Sequence, residues 1–197
     1  MRIACAIDFS VFMNSQPDPI RFLPNEPLPQ YSYVPGKFPH PIRDEEGHSY
    51  GKPEPPVMRP ESAAWRDCVA YLRGLDLFNA GYYWEAHEAW EQVWHACERK
   101  GRDADFFKGL IKLAAAGVKH KEGNSAGVRR HARRAAELLS GVAKGELDSQ
   151  KVRQTAHRAK PNQYFGLSLT EVVQYAEAIA NGGQSFDQPA IVLLPTD

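Results

Sequence analysis

Residues 78–94 read FNAGYYWEAHEAWEQVW, and residues 109–124 read GLIKLAAAGVKHKEGN. At about 100° per residue, the helical repeat puts Tyr82, Ala86, Ala89, Trp90 and Val93 on one face of the first stretch. Trp84, His87, Glu88, Glu91, Trp94 and His95 share another. A surface helix ordinarily shows lysines and arginines on its second face. This one interleaves carboxylates and imidazoles with two tryptophans, so both faces call for neighbours and the helix reads as the central strut of a bundle.

Working outward, the segment at 61–79 follows Pro60 and carries Trp65, Cys68, Val69, Leu72 and Leu75 on one stripe, which predicts an amphipathic helix. Asn79-Ala80-Gly81 tolerates left-handed backbone and should reverse the chain. The central helix is then expected over about 83–99, broken at 100–103 around Gly101. A third helix is expected at about 104–122, with Phe106, Leu110, Leu113, Ala114 and Gly117 inside and Lys108, Lys112 and Lys119 toward solvent. Gly109, Leu113, Ala116 and His120 run beside its apolar face. Glycine in mid-helix costs about 1 kcal/mol against alanine, so Gly109 implies close approach of a neighbour.

Gly123 should end that helix and Asn124 cap the next, at about 125–144. Its inner face would be Val128, His131, Ala132, Ala135, Leu138, Leu139 and Val142. Arg129, Arg130, Arg133 and Arg134 lie outside and read as a solvated face. A short helix is expected at 149–160. Ser168 and Glu171 form a capping-box pattern opening a last helix that ends at Asn181-Gly182-Gly183. The apolar tail at 189–195, with a proline at each end, reads as an extended segment docked on the core or the arm.

Residues 14–60 hold most of the prolines, and proline at that density excludes helix interiors. Phe22, Leu23, Tyr31, Tyr33, Val34, Phe38, Ile42 and Tyr50 are more apolar bulk than a solvated linker needs, so the segment reads as an arm wrapped over the helices. The expected organisation is a possible upstream extension at 1–13, the arm at 14–60, one all-α bundle of about four main helices at 61–183, and an extended tail at 184–197.

Lys+Arg and Asp+Glu are both 24, so no global field favours nucleic acid or an anionic membrane. Three cysteines without CxxC spacing argue against a disulfide framework or a thiolate zinc site, and neither a signal peptide nor a membrane span fits. A reduced, cytoplasmic protein is expected, with oligomeric state open.

The stretch from about Tyr71 to Ala143 resembles the domain-of-unknown-function family numbered 309. The matching pieces are Phe78-Asn79-x-Gly81-x-Tyr83-x-Glu85-Ala86-His87-Glu88-x-x-Glu91-x-x-Trp94, then Gly109-Leu110-Ile111-x-x-Ala114-Ala115-Ala116, then Gly123-Asn124. The resemblance implies a small, all-helical, cytoplasmic bundle without an established activity, and makes Glu85, His87, Glu88 and Glu91 signature positions. The family pattern has a histidine a few residues before the Gly-Asn pair, and His120 stands within about one position of it.

His87 and Glu91 are four apart and Glu88 and Glu91 three apart, spacings that meet on one helical face. An imidazole and two carboxylates there can hold a divalent metal. The motif is HExxE and not HExxH, so His120 or His131 would have to complete the ligand set from another helix. Without metal, His87 held by Glu91 can act as a general base. No nucleophile elbow, phosphate loop or dinucleotide fingerprint accompanies it. A polar network satisfying buried groups needs no chemistry at all. The function expected from these residues is a binding or interaction module for a small molecule or protein, with a polar cleft beside Glu85, His87, Glu88 and Glu91. His120 and His131 stand near it, and the arm would close it through Tyr33, His40 or His48. The alternative is a hydrolase-like enzyme using the same face, with a divalent metal as the one cofactor the pattern allows.

Overall fold

A computed structural model describes residues 21–53, 55–145 and 162–186. Five helices carry the fold: α1 (Val69–Asn79), α2 (Tyr83–Ala96), α3 (Gly101–Lys121), α4 (Ser125–Lys144) and α5 (Leu169–Ala180). Each of α1 to α4 packs on its successor in the chain, and α5 packs on α4. A two-residue hairpin, β1 (Gln163–Tyr164) against β2 (Leu167–Ser168), precedes α5 and pairs antiparallel, Gln163 opposite Ser168. The all-α expectation holds, and residues 21–53 run beside the bundle largely as turns and bends. The expected short helix at 149–160, the extension at 1–13 and the tail at 189–195 lie outside the described residues.

The helix ends follow local chemistry. Asn124 caps α4 by accepting from the Gly127 N–H, and Gly145 closes it in the left-handed region at φ 66°. Ser168 accepts from the Glu171 N–H at the start of α5. Three boundaries differ from expectation, the first being that α3 opens at Gly101, inside the break expected at 100–103. The single helix expected at 61–79 is a 3-10 segment, Ser62–Asp67, followed by α1, because Cys68 between them takes φ −88°, ψ 89°. Val69, assigned to the apolar stripe, is consequently 60% exposed while Trp65, Cys68, Leu72 and Leu75 are buried. The central helix stops at Ala96, not at about 99, because Glu98 and Arg99 adopt positive φ.

The core is aromatic where α1, α2 and α3 meet. Trp90 is fully buried between them, its indole N–H donating to the Tyr71 carbonyl. Tyr71, also fully buried, donates its hydroxyl to the Phe165 carbonyl, which ties the hairpin to α1. Small residues set the spacing. A Cβ on Gly74 would lie 2.1 Å from Trp90 Nε1, and one on Gly117 would lie 2.4 Å from the Tyr83 ring. Gly109 likewise admits Leu139 of α4, the close approach its mid-helix position implied.

The arm is held by two buried carboxylates. Asp76 of α1, 1% exposed, accepts the backbone N–H groups of Phe22 at 2.8 Å and Leu23 at 2.9 Å. Glu85 of α2 accepts the Tyr33 N–H at 2.9 Å. Phe22 meets Trp65 edge-on, and Val34 and Pro41 are buried.

Candidate functional site

The first turns of α2 aim its side chains in three directions. Tyr83, Ala86, Trp90 and Val93 enter the core. Glu85, Glu88, Ala89 and Gln92 turn toward α1 and the arm, where they line a cleft of about 770 Å³. His87, Glu88 and Glu91 form a separate cluster, which Glu88 joins to the cleft.

The cleft's floor comes from α1 and α2, through Ala70, Leu77 and Ala89, and its roof from the arm, through Leu23, Ile42 and the segment from Pro55 to Pro60. Its polar end is built around Glu85, whose side chain is 5% exposed. Oε1 accepts from the Tyr33 N–H and lies 3.1 Å from His48 Nε2, while His48 Nδ1 is 3.0 Å from the Ser49 hydroxyl. Both ring nitrogens of His48 are thus at hydrogen-bond distance from a partner. Glu85 Oε2 is buried and has no hydrogen-bond partner among the described residues.

The arm histidines are placed differently. His48 is buried against the Tyr31 ring at 4.7 Å, and Tyr31 in turn stacks on Phe38 at 5.1 Å. His40 sits beside Tyr33 and Trp84, at 5.2 Å and 5.4 Å, and its Nδ1 accepts from the N–H groups of Ile42 and Arg43. His48 lines the cleft and His40 stands outside its lining.

In the second cluster His87 Nδ1 is 3.4 Å from Glu88 Oε1 and 3.9 Å from Glu91 Oε2, with all three side chains partly exposed. Donor atoms of the three lie within 4.8 Å of one another. These contacts run along α2 and not across to a facing helix. His87 Nδ1 and Trp94 Nε1 are buried there without a hydrogen-bond partner among the described residues.

The helices beyond contribute charge. His131 of α4 is held below its ordinary value, first by burial and then by the positive charges of Lys112, Arg130 and Lys119, with His87 acting in the same direction. His120 stands elsewhere: its ring lies 5.7 Å from Phe186, which also meets Phe78, Tyr83 and Tyr175. Neither histidine belongs to the three-residue donor cluster. Lys121 is half-buried, lowered by burial against the opposing pull of Glu85, and donates to the Ser32 hydroxyl at 3.0 Å. The described thiols are poor nucleophiles: burial pushes Cys68 up, and burial with the nearby Asp103 charge pushes Cys97 up to about 11.

Sequence reasoning missed Asp76 and Ser49. The signal for Asp76 was present, since a carboxylate inside LRGLDLF on an otherwise apolar stripe must find buried donors. Nothing in the sequence announced Ser49, whose role depends on where the arm lands.

Five packed helices with an arm laid across the second of them, and a His/Glu face on that same helix, define a small all-helical arm-clasped bundle. A domain described as Domain of unknown function (DUF309) is detected at residues 71–131, from α1 into the second turn of α4. No curated protein matches the chain. Among the described residues no helix is long and apolar enough to cross a membrane.

Proposed function

We propose that the protein is a binding module whose site is the cleft between the arm and α1–α2, taking a small molecule of largely apolar surface. One observation carries the reading: Glu85 is a buried carboxylate with an unpaired oxygen at the polar end of an apolar cleft of about 770 Å³. Pockets that hold small molecules have this composition, apolar walls with few fixed polar groups, and this volume. The arm's part is to close the site. His48 and Tyr33 pin it to Glu85, so the groups that build the polar end also hold the roof in place.

A neutral apolar dye tests the reading. Nile red titrated into the full chain should brighten with one-site saturation. Ala89→Trp, which puts an indole into the cleft from its floor, should abolish that site while the helical circular dichroism is unchanged. Dye binding indifferent to Ala89→Trp would remove the cleft as the site.

The metal-assisted hydrolase-like reading is supported by a different observation. His87 Nδ1, lacking a hydrogen bond, faces two carboxylate oxygens at distances shorter than 4 Å, and three such donors leave coordination positions for substrate or water. Equilibrium dialysis against zinc checks it. One equivalent retained by the wild type and lost in His87→Ala supports the site; no stoichiometric zinc ends it.

A further inference from the structure

The cleft has a charge preference as well as a shape. We infer that it takes an organic cation, a protonated amine carried on an apolar body, with the charge seated between Glu85 and Glu88. The inference rests on the cleft being the binding site.

Four features point to a cation. Glu85 and Glu88 are one turn apart on α2 and both line the cleft. Glu88 turns one oxygen toward His87 at 3.4 Å, and a positive charge in the cleft is attracted to both carboxylates. Second, the protein's own cations offset these carboxylates only in part: Lys52 lines the cleft, and Lys121 attracts Glu85 from α3. His48 Nε2 lies 3.1 Å from Glu85 Oε1, which leaves Oε2 without a donor among the described residues. The lining's two arginines are engaged elsewhere. Arg59 pairs with Asp103 at 2.8 Å, and Arg73 donates to the backbone carbonyls of Glu26 and Pro27. Around the whole lining, carboxylates outnumber lysines and arginines five to three.

Third, Glu85 Oε2 is buried with no donor. An ammonium N–H satisfies it; a neutral hydrocarbon leaves it orphaned, and an anion adds repulsion. Fourth, Trp84 lines the same end, and the indole face is the best aromatic partner for a cation. The remaining wall is made for an apolar body. Val69 and Met58, 60% and 87% exposed, both line the cleft with Leu77 and Val57, so two large apolar side chains stand ready to be covered.

The test uses three probes with the same aromatic body: phenethylammonium, phenethyl alcohol and phenylacetate. Each is titrated into the full chain by calorimetry and by thermal shift. Phenethylammonium should bind at least tenfold more tightly than the alcohol and raise Tm, and phenylacetate should not bind. Glu88→Gln, at a partly exposed position that leaves the fold intact, should bring ammonium and alcohol to near-equal affinity. Glu85→Gln should do the same wherever its circular dichroism is native. Equal wild-type affinity for alcohol and ammonium, or a preference for phenylacetate, overturns the cation while the cleft stands. If none of the three binds, as when another part of this chain fills the cleft, the cleft reading falls with it.

Discussion

Among the described residues, Asp76 and Glu85 are the two charged residues that the fold buries, and each is kept by the arm. Asp76 accepts two backbone N–H groups, at 2.8 Å and 2.9 Å, from consecutive residues of the arm. Hydrogen bonds to an ionised acceptor are each worth about 1.5–3 kcal/mol, and Asp76→Ala deletes both but lets the freed amides reach water, so a loss of about 2–4 kcal/mol is expected. Urea unfolding gives the number, and a change under 1 kcal/mol, about the scale of an ordinary surface substitution, would show that the arm contributes nothing through this residue. Gly74 is the steric counterpart. Alanine gains about 1 kcal/mol of helix propensity, but a Cβ 2.1 Å from a fully buried indole forces the Trp90 ring or the backbone to move. Gly74→Ala should therefore be a net destabilisation of about 1–3 kcal/mol, with a shifted tryptophan emission, against the stabilisation that propensity alone predicts.

At the scale of elements, α2 serves as core strut, cleft wall and arm anchor at once, which its sequence announced only in part. Periodicity was sufficient for the helices, because apolar spacing and capping residues act within a few residues of chain; α4 begins and ends where Asn124 and Gly145 put it. The same local logic located the HExxE cluster, since i, i+3 and i+4 neighbours need no tertiary knowledge. What was not legible depends on distant contacts. Glu85 reads as a member of the same polar group as Glu88, yet it meets residues 52 and 37 positions away, Tyr33 and His48. The break at Cys68 was hidden for a related reason: Trp65 and Cys68 keep the helical stripe and are both buried, so the pattern survives a change of backbone. The arm's attachment makes a prediction of its own. Releasing both staples in Asp76→Ala/Glu85→Ala should speed trypsin cleavage at Lys37 and Arg43 at least tenfold while the helical circular dichroism persists, because α1–α5 retain their own core. Loss of helical signal together with the arm would mean that the two form one cooperative unit.

For the whole molecule, the equal numbers of acidic and basic residues leave pH dependence to the few groups that the fold perturbs. On the alkaline side Cys97 is raised from 9.0 to about 11 by burial, and Tyr164 and Tyr175 are raised in the same direction for the same first reason. An acid whose folded pKa is raised adds stability that is complete below its unfolded pKa, near 9 for the thiol, and that disappears as pH climbs through the folded value. On the acid side His131 is the perturbed base. It is lowered from 6.5 by burial and by Lys112, Arg130, Lys119 and His87, so the unfolded chain takes up its proton first. Its contribution is present above pH 6.5 and is lost as pH falls through the folded value, because protonation adds a buried positive charge beside Lys112, Arg130 and Lys119. Stability should accordingly form a plateau between about pH 6.5 and 9, the two ordinary values. His131→Asn supplies the check: urea midpoints from pH 7.5 down to 5 should fall less steeply in the variant than in the wild type, with the curves converging toward low pH. A variant whose midpoint declines in parallel with the wild type would mean that carboxylates alone set the acid limb and that the positive surroundings of His131 do not act on folding.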